Sequence, residues 1–487
     1  MPASSYSVVI GLEVHAQLST NTKMFCGCRV EFGAEPNTLV CPVCLGFPGT
    51  LPVPNAKAVE SGIALGLAVG AEIGERPMWT RKNYFYPDLP KGYQITQTGG
   101  SAVYDWPICK GGHLDITLED GSTKRIGLTR IHMEEDAGKL IHDLTVADSL
   151  FDANRCGTPL LEIVSEPDLR SPEEAIAYLE KLKQILEYLE ICDANMERGN
   201  MRCDANVSIR KGEDAPFGER VELKNMNSFS NLLKAMHAEI ENQASILDAG
   251  GTVKRETKRW DPAKAATTTN RSKEDAQDYR YFPEPDLVRL AVTPDDIARV
   301  RATLPELPEA RRARYVEQYG LPAYDADVLT REKAVSEFYE RACAVAQDKK
   351  AVSNWVMGDV LRVLKENNLA ITDLKFTAEH IGEMVELIRT GAISGKIAKE
   401  VFEHLFAGEG SPKEIVDKRG LSVISDSGAV EGFIKQVMDA NADKVAEYRS
   451  GKDKLFGFFV GQVMRVSQGK AAPEQVNELL KKLLAGE

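Results

Sequence analysis

The stretch Ser7-Val8-Val9-Ile10-Gly11-Leu12-Glu13-Val14-His15-Ala16-Gln17-Leu18 decides how the rest of the chain is read. Its residues alternate well enough to predict a strand, because successive side chains of extended backbone point to opposite faces. Period two puts Glu13 and His15 on the same face. Neither belongs in an apolar core, yet the segment begins Val8-Val9-Ile10. Such a face either opens to water or gathers around a cation.

Three further segments strengthen the cation reading. Ile131-His132-Met133-Glu134-Glu135-Asp136 ends a strand-like run in three acids. Leu160-Leu161-Glu162-Ile163-Val164 embeds one carboxylate among aliphatic residues, where an unpaired charge is costly. Arg202-Cys203-Asp204-Ala205-Asn206-Val207 adds another acid on a strand pattern. Carboxylates and an imidazole converging in a sheet repel one another unless a cation sits among them. An oxygen-rich set favours Mg2+ or Mn2+ over Zn2+. Mg2+ in turn points to a phosphorylated substrate, most often ATP.

No Gly-x4-Gly-Lys-Ser/Thr loop is present, and the pair Gly99-Gly100 lacks the following Lys-Ser/Thr. Phosphate would therefore be held by metal and cationic side chains. The candidates are Lys224 within residues 222–227, Arg259 within residues 258–261 and Arg280 within residues 278–282; each segment could equally be a surface loop. Residues 81–94 hold four aromatics, Lys82, Lys91, an arginine and two prolines. They read as an aromatic nucleic-acid platform, a substrate loop or a subunit interface, against the plainer reading of a loop packed on the sheet.

Cys26-Gly27-Cys28, then twelve residues, then Cys41-Pro42-Val43-Cys44 frames four thiolates for a structural Zn2+, with Gly27 and Pro42 suited to the two tight turns. Cys109, Cys156, Cys192, Cys203 and Cys343 are scattered, and nine is an odd count. That usage fits a reducing cytoplasm and one metal knuckle better than a secreted disulfide scaffold.

At 487 residues the chain suggests about three domains. Its 43% hydrophobic and 27% charged residues are those of a globular protein. A net charge of −13, from 60 basic and 73 acidic residues, argues against a broad basic coat gripping DNA, though not against local RNA contacts. No run approaches the ~18–20 apolar residues of a membrane helix. The first seven residues lack both basic residues and an apolar core, so neither a secretory signal nor a transit peptide is expected.

Mixed strands and helices without regular βαβ alternation predict an α+β domain over residues 1–293. Two helices are expected in it, one over residues 55–71 and one opening at Ser171-Pro172-Glu173-Glu174, with Ser171 as N-cap. Beyond Pro283-Glu284-Pro285-Asp286 the pattern turns helical, giving an all-helical domain over residues 294–407. Gly408-Glu409-Gly410-Ser411-Pro412 reads as a hinge before a small helical tail, residues 408–487. From Ser411 onward the tail carries 12 basic and 11 acidic residues, so it is about neutral.

Read together, the segments resemble the GatB family, whose members belong to tRNA-dependent amidotransferases. The resemblance rests on VIGLEVHAQL (9–18), RKNYFYPDLPKGYQITQ (81–97), RIHMEEDAGK (130–139), GTPLLEIVSEPDLRSPEEA (157–175), RCDANVSIR (202–210), ELKNMNSF (222–229) and DYRYFPEPDL (278–287). It continues through LPAYDADVLT (321–330), NWVMGDV (354–360), ISGKIAKEVF (393–402) and GFFVGQVM (457–464). It implies a cradle domain likened to the glutamine synthetase fold, followed by helical and tail domains that help hold tRNA. It also implies partners: an amidase and a small third protein, which complete a heterotrimeric amidotransferase, and a misacylated tRNA. ATP would phosphorylate the side-chain carboxylate of Glu or Asp on tRNA(Gln) or tRNA(Asn), and ammonia tunnelled from the amidase would displace the phosphate. Carried over by position, Glu13, His15, Glu135, Glu162 and Asp204 would hold Mg2+, with Glu134 as an alternate. Lys82 and Lys91 match positions at the mouth of the ammonia channel. The four cysteines would hold zinc that the chemistry itself does not need.

Two other readings stay open on the residues alone. One is a scaffold that docks aminoacyl-tRNA without consuming ATP; the other is a free-standing ATP-dependent ligase acting on a small carboxylate, against which the helical C-terminal third argues.

Overall fold

The computed structural model describes residues 6–99, 105–118, 120–142, 149–272, 279–423, 426–467 and 469–485. Gly100 of the Gly99-Gly100 pair and Asp278 of the third cation segment lie outside them. The chain divides into two compact units, Met1–Leu307 and Pro308–Glu487.

The first unit is built on a mixed sheet of thirteen strands among the described residues. Its centre runs Val221–Met226, Met201–Arg210, Ser7–Gln17, Pro159–Ser165, Thr123–Glu135, Tyr93–Thr96 and Thr80–Asn83, each antiparallel to the next. One parallel pairing, between Val221–Met226 and Glu256–Asp261, makes the sheet mixed. The expected strand at residues 7–18 forms over Ser7–Gln17, and that at 201–210 over Met201–Arg210; the one expected at 127–134 extends to Thr123–Glu135.

Alternation along Ser7–Gln17 divides the two faces of the sheet. Leu12, Val14 and Ala16 are buried in one apolar core with Ile63, Leu182 and Met236 of three helices. Burying each large aliphatic side chain contributes roughly 1.5–3 kcal/mol, so this face fixes the register. Glu13 and His15 are left on the other face. Register then sets Glu13 opposite Asp204 and His15 opposite Glu162, with Glu162 opposite His132 on the next strand.

The two expected helices form, the second with its expected cap. Asn55 accepts from the amides of Lys57 and Ala58 to start Ala56–Ala68, and Ser171 accepts from the Glu174 amide to start Pro172–Tyr188. A third helix, Phe229–Asp248, goes beyond the two expected; Ser228 caps it and Leu232, Ala235, Met236 and Ile240 form its buried stripe.

The packing around the two expected boundaries is as follows. The helix Pro294–Ala302 belongs to the first unit, because Val292, Ile297 and Val300 pack into the sheet domain's core and Arg299 pairs with Glu60. The glycine-rich segment at 408–412 is a tight helix–helix turn: Gly408, at φ +83°, ends Gly395–Ala407, and Ser411 caps Pro412–Arg419. Ile415, Val416 and Leu421 still share a core with Tyr339 and Phe402, so that core runs past residue 408. A separate apolar cluster forms from Val430 to Leu484. No helix among the described residues is long and apolar enough to cross a membrane.

Candidate functional site

Five neighbouring strands of the first unit turn their polar residues to one face. On it His15 Nε2 lies 3.3 Å from Glu134 and 3.3 Å from Glu162, and His132 Nε2 lies 3.1 Å from Glu162. Beside this group stands a second, made of Glu13, Asp204 and Glu222. Asn206 donates to Glu13 Oε1 at 3.1 Å. Lys224 reaches both acids on its side, bonding Asp204 Oδ2 and standing 3.0 Å from Glu222.

The charges answer to one another. Burial raises the pKa of Glu13, and the nearby Glu162, Glu222 and Asp204 raise it further against the pull of Lys224. Burial opposes the charge on His15, but Glu134 and Glu162 outweigh it and push its pKa up to about 10. Burial likewise opposes the charge on Glu162, yet His132 and His15 hold it well below the usual carboxylate range. Two sets of three donors, each within 4.8 Å of one another, fit hard divalent cations that accept carboxylate oxygen and tolerate one imidazole.

Glu135 does not join this face. Being next to Glu134 on a strand, it points to the opposite side, where its Oε1 accepts from Lys91 Nζ at 2.5 Å and from the Ile95 amide at 3.1 Å. The expected ligand set is corrected accordingly: Glu134 stands with His15 and Glu162. Lys91 is buried with Glu135, whereas Lys82 lies on the side of Glu134. Burial opposes the charge on Lys82, but Tyr84, Tyr281 and Glu134 raise its pKa, and its Nζ stacks 4.8 Å over the Tyr279 ring. The two lysines therefore flank the two faces of one strand end.

The stretch 81–94 is a hairpin limb rather than a free loop. Arg81 makes a two-pronged bond to the buried Glu284, 2.7 Å on each arm, and stacks 4.1 Å over Tyr93. Phe85 and Tyr86 remain exposed.

Two cavities flank the acidic face. One of about 810 Å³ is lined by His15, Asp204, Lys224 and Arg259, with Arg155 and Arg202 beside them. Arg155 and Arg202 are held by Asp136, at 2.7 and 3.0 Å. A second, of about 470 Å³, is lined by Glu13, Asn206, Arg220 and Arg255 among others. Of the three expected phosphate cations, Lys224 and Arg259 line the larger cavity. Arg280 does not: its guanidinium stacks 4.9 Å over Phe85.

His132, Glu222 and Asp136 also stand at this site; their segments stand out in the sequence, but none of the three is expected there as a site residue. Period two from His132 to Glu134 was the available signal for the first. Glu222 lay two positions from Lys224, on the same strand face.

Cys26, Cys28, Cys41 and Cys44 converge, with their four Sγ atoms within 4.8 Å of one another. Cys41 and Cys44 Sγ are 3.9 Å apart, close to the ~3.8 Å edge of a tetrahedron with Zn–S bonds of about 2.3 Å and far from disulfide length. The Cys44 thiol is held down at about 4: the Cys26 thiol donates to it and, against the cost of burial, the Cys41 amide and Lys23 add to the effect. The donors therefore fit zinc.

Residues 8–298 match the family model described as the GatB/GatE catalytic domain, and residues 337–484 match that described as the GatB domain. Proteins named as the B subunit of aspartyl/glutamyl-tRNA(Asn/Gln) amidotransferase are similar over nearly their whole lengths. That of Geobacter sp. (strain M21) is 56% identical over 484 residues, covering 99% of this chain and 100% of the relative. Those of Geotalea daltonii and Chlorobium limicola are 55% and 52% identical, with the same coverage.

Proposed function

This chain belongs to the GatB/GatE family, and from that premise we propose that it converts Glu-tRNA(Gln), Asp-tRNA(Asn) or both to the amidated forms. In this reading ATP phosphorylates the side-chain carboxylate, and ammonia from a glutaminase partner, the amidase, displaces the phosphate. A small third protein completes the heterotrimer, and the reaction takes place in the cytoplasm. The chemical need is plain: a carboxylate has no good leaving group, and phosphorylation supplies one.

The observation that carries the reading is the face shared by His15, Glu134 and Glu162 with Glu13, Asp204 and Glu222, beside a cavity holding Lys224 and Arg259. We assign the first trio and the second to one Mg2+ each. Mg2+ bound there supplies neutralisation of the charge on a transferring phosphoryl group. The residues of the chain do the positioning. Asn206 orients Glu13, His132 orients Glu162, and Lys224 places a fixed positive charge over Asp204 and Glu222. Arg155 and Arg202, steadied by Asp136, offer donors for phosphate oxygens from the side of the cavity.

Lys91 and Glu135 lie behind this face, and we assign them, with Lys82, to the route by which ammonia reaches it. The helical tail, residues 408–487, about neutral from Ser411 onward, is assigned to tRNA. The test is a reconstituted complex given Glu-tRNA(Gln) and ATP labelled in its γ-phosphate. Label release that requires the charged tRNA supports the proposal; release indifferent to tRNA, or none with all partners present, opposes it.

A further inference from the structure

Lys23 is fully buried, at 0% exposure, on the loop that leads into the four-cysteine knuckle. Its Nζ donates to Leu39 O at 2.8 Å, to Ala153 O at 3.3 Å and to Cys44 Sγ at 3.5 Å. Among the described residues no carboxylate lies within ion-pair distance of it. Neighbouring Glu135 is already paired with Lys91, and Gly157 stands between, within 3.5 Å of both Glu135 and the Lys23 stem where a Cβ would be. A buried ammonium facing only two carbonyls and a sulfur is costly to keep charged unless that sulfur carries charge.

The knuckle supplies it. Four thiolates around one Zn2+ leave two negative charges, in a pocket closed by Ala153 and Cys156. We propose that Lys23 is the internal counter-charge of this site: a positioning residue that neutralises part of the zinc–thiolate charge while tying Cys44 to the backbone at Leu39 and Ala153. Its two carbonyl bonds span from the knuckle loop to the loop before Gly157, so metal binding and the packing of that loop are coupled through one side chain. This inference rests on the zinc reading of the knuckle.

The test uses the full-length protein, with Zn2+ alone as ligand and a chromophoric chelator as competitor. Lys23→Met is expected to weaken zinc binding about 10- to 100-fold, the usual loss when a partner of a metal ligand is removed. Lys23→Gln, which keeps a donor but not the charge, is expected to lose nearly as much. In a Cys41→Ser/Cys44→Ser background, Lys23→Met should lower the melting temperature no further. Zinc affinity within twofold of wild type in both Lys23 variants overturns the proposal. So does an equal fall in melting temperature in both backgrounds, which would make Lys23 a strut for the two carbonyls alone. A wild-type protein that takes up no zinc overturns the knuckle reading itself, and the Lys23 role with it.

Discussion

Glu135 and Lys91 form a buried ion pair, 2.5 Å apart, while Glu134 turns to the other face of the same strand end and stands 3.3 Å from His15. Two chain neighbours of identical chemistry thus have different partners. The difference is measurable with Mn2+ as a magnesium substitute: Glu134→Gln should weaken Mn2+ binding at least about tenfold, in the range seen when carboxylate support is lost at metal sites. Glu135→Gln should leave Mn2+ affinity nearly unchanged but cost about 3–5 kcal/mol of stability in urea, since it strands the Lys91 charge. The reverse pattern would restore Glu135 as a ligand.

Zinc content gives a second check. Protein purified without chelator should carry about one zinc per chain, and Cys41→Ser/Cys44→Ser should carry none. Thermal melting should fall in the variant, because a half-buried knuckle without its metal keeps only a small apolar cluster that includes Ala153, Cys156 and Phe151. Equal melting with and without zinc would show that the knuckle contributes nothing to the fold.

The imidazole of His15 makes a pH prediction for the metal-free protein. Its folded pKa, about 10, is above its unfolded value of 6.5. Its contribution to stability is therefore fully present below pH 6.5 and lost as the pH rises toward 10. Each titrating proton changes stability by at most about 1.4 kcal/mol per pH unit. Urea denaturation in EDTA should show stability falling across that window, and His15→Gln should flatten the curve. Saturating Mg2+ should flatten it as well, since a bound cation takes the place of the imidazole proton. A wild-type profile as flat as the variant's in EDTA would contradict the coupling of His15 to Glu134 and Glu162.

Lys258 and Glu239 provide a control outside the chemistry. Glu239, on the helix Phe229–Asp248, is fully buried and accepts from Lys258 Nζ at 3.0 Å and from Thr267 at 3.0 Å. Lys258→Met leaves that carboxylate stranded and should cost about 3–5 kcal/mol in urea. Replacing both partners with apolar residues should cost much less. Amidation at a temperature where the single variant is folded should be unchanged.

Much of this was legible in the sequence, for reasons that differ from residue to residue. Alternation in Ser7–Gln17 disclosed a strand with Glu13 and His15 on its open face, because period two is a local property. The cysteine spacing disclosed the knuckle, because tight turns dictate it. Glu134 is harder to tell from Glu135, since three acids in a row hide the phase of the strand; the spacing of His132 to Glu134 carries that phase, but the sequence reading chose Glu135. Lys23 was not legible at all, because a lysine between Thr22 and Met24 looks like loop surface until Leu39 and Ala153 close over it. That Ile297 and Val300 pack into the first core is not legible near residue 293, because a proline-led helix looks like the start of a new domain. The contact of Arg280 with Phe85 is not legible either, because it joins segments far apart in sequence.

In the proposed reaction the acidic face activates a tRNA-borne carboxylate at the expense of ATP. This activation is tested most directly by the release of γ-phosphate in the assembled complex with Glu-tRNA(Gln), comparing wild type with Glu13→Ala and Asp204→Ala. The expected result is tRNA-dependent release in the wild type, a loss of at least about a thousandfold in each variant, equivalent to about 4 kcal/mol, and tRNA affinity within a few-fold of wild type. Full phosphate release with both acids removed would contradict it.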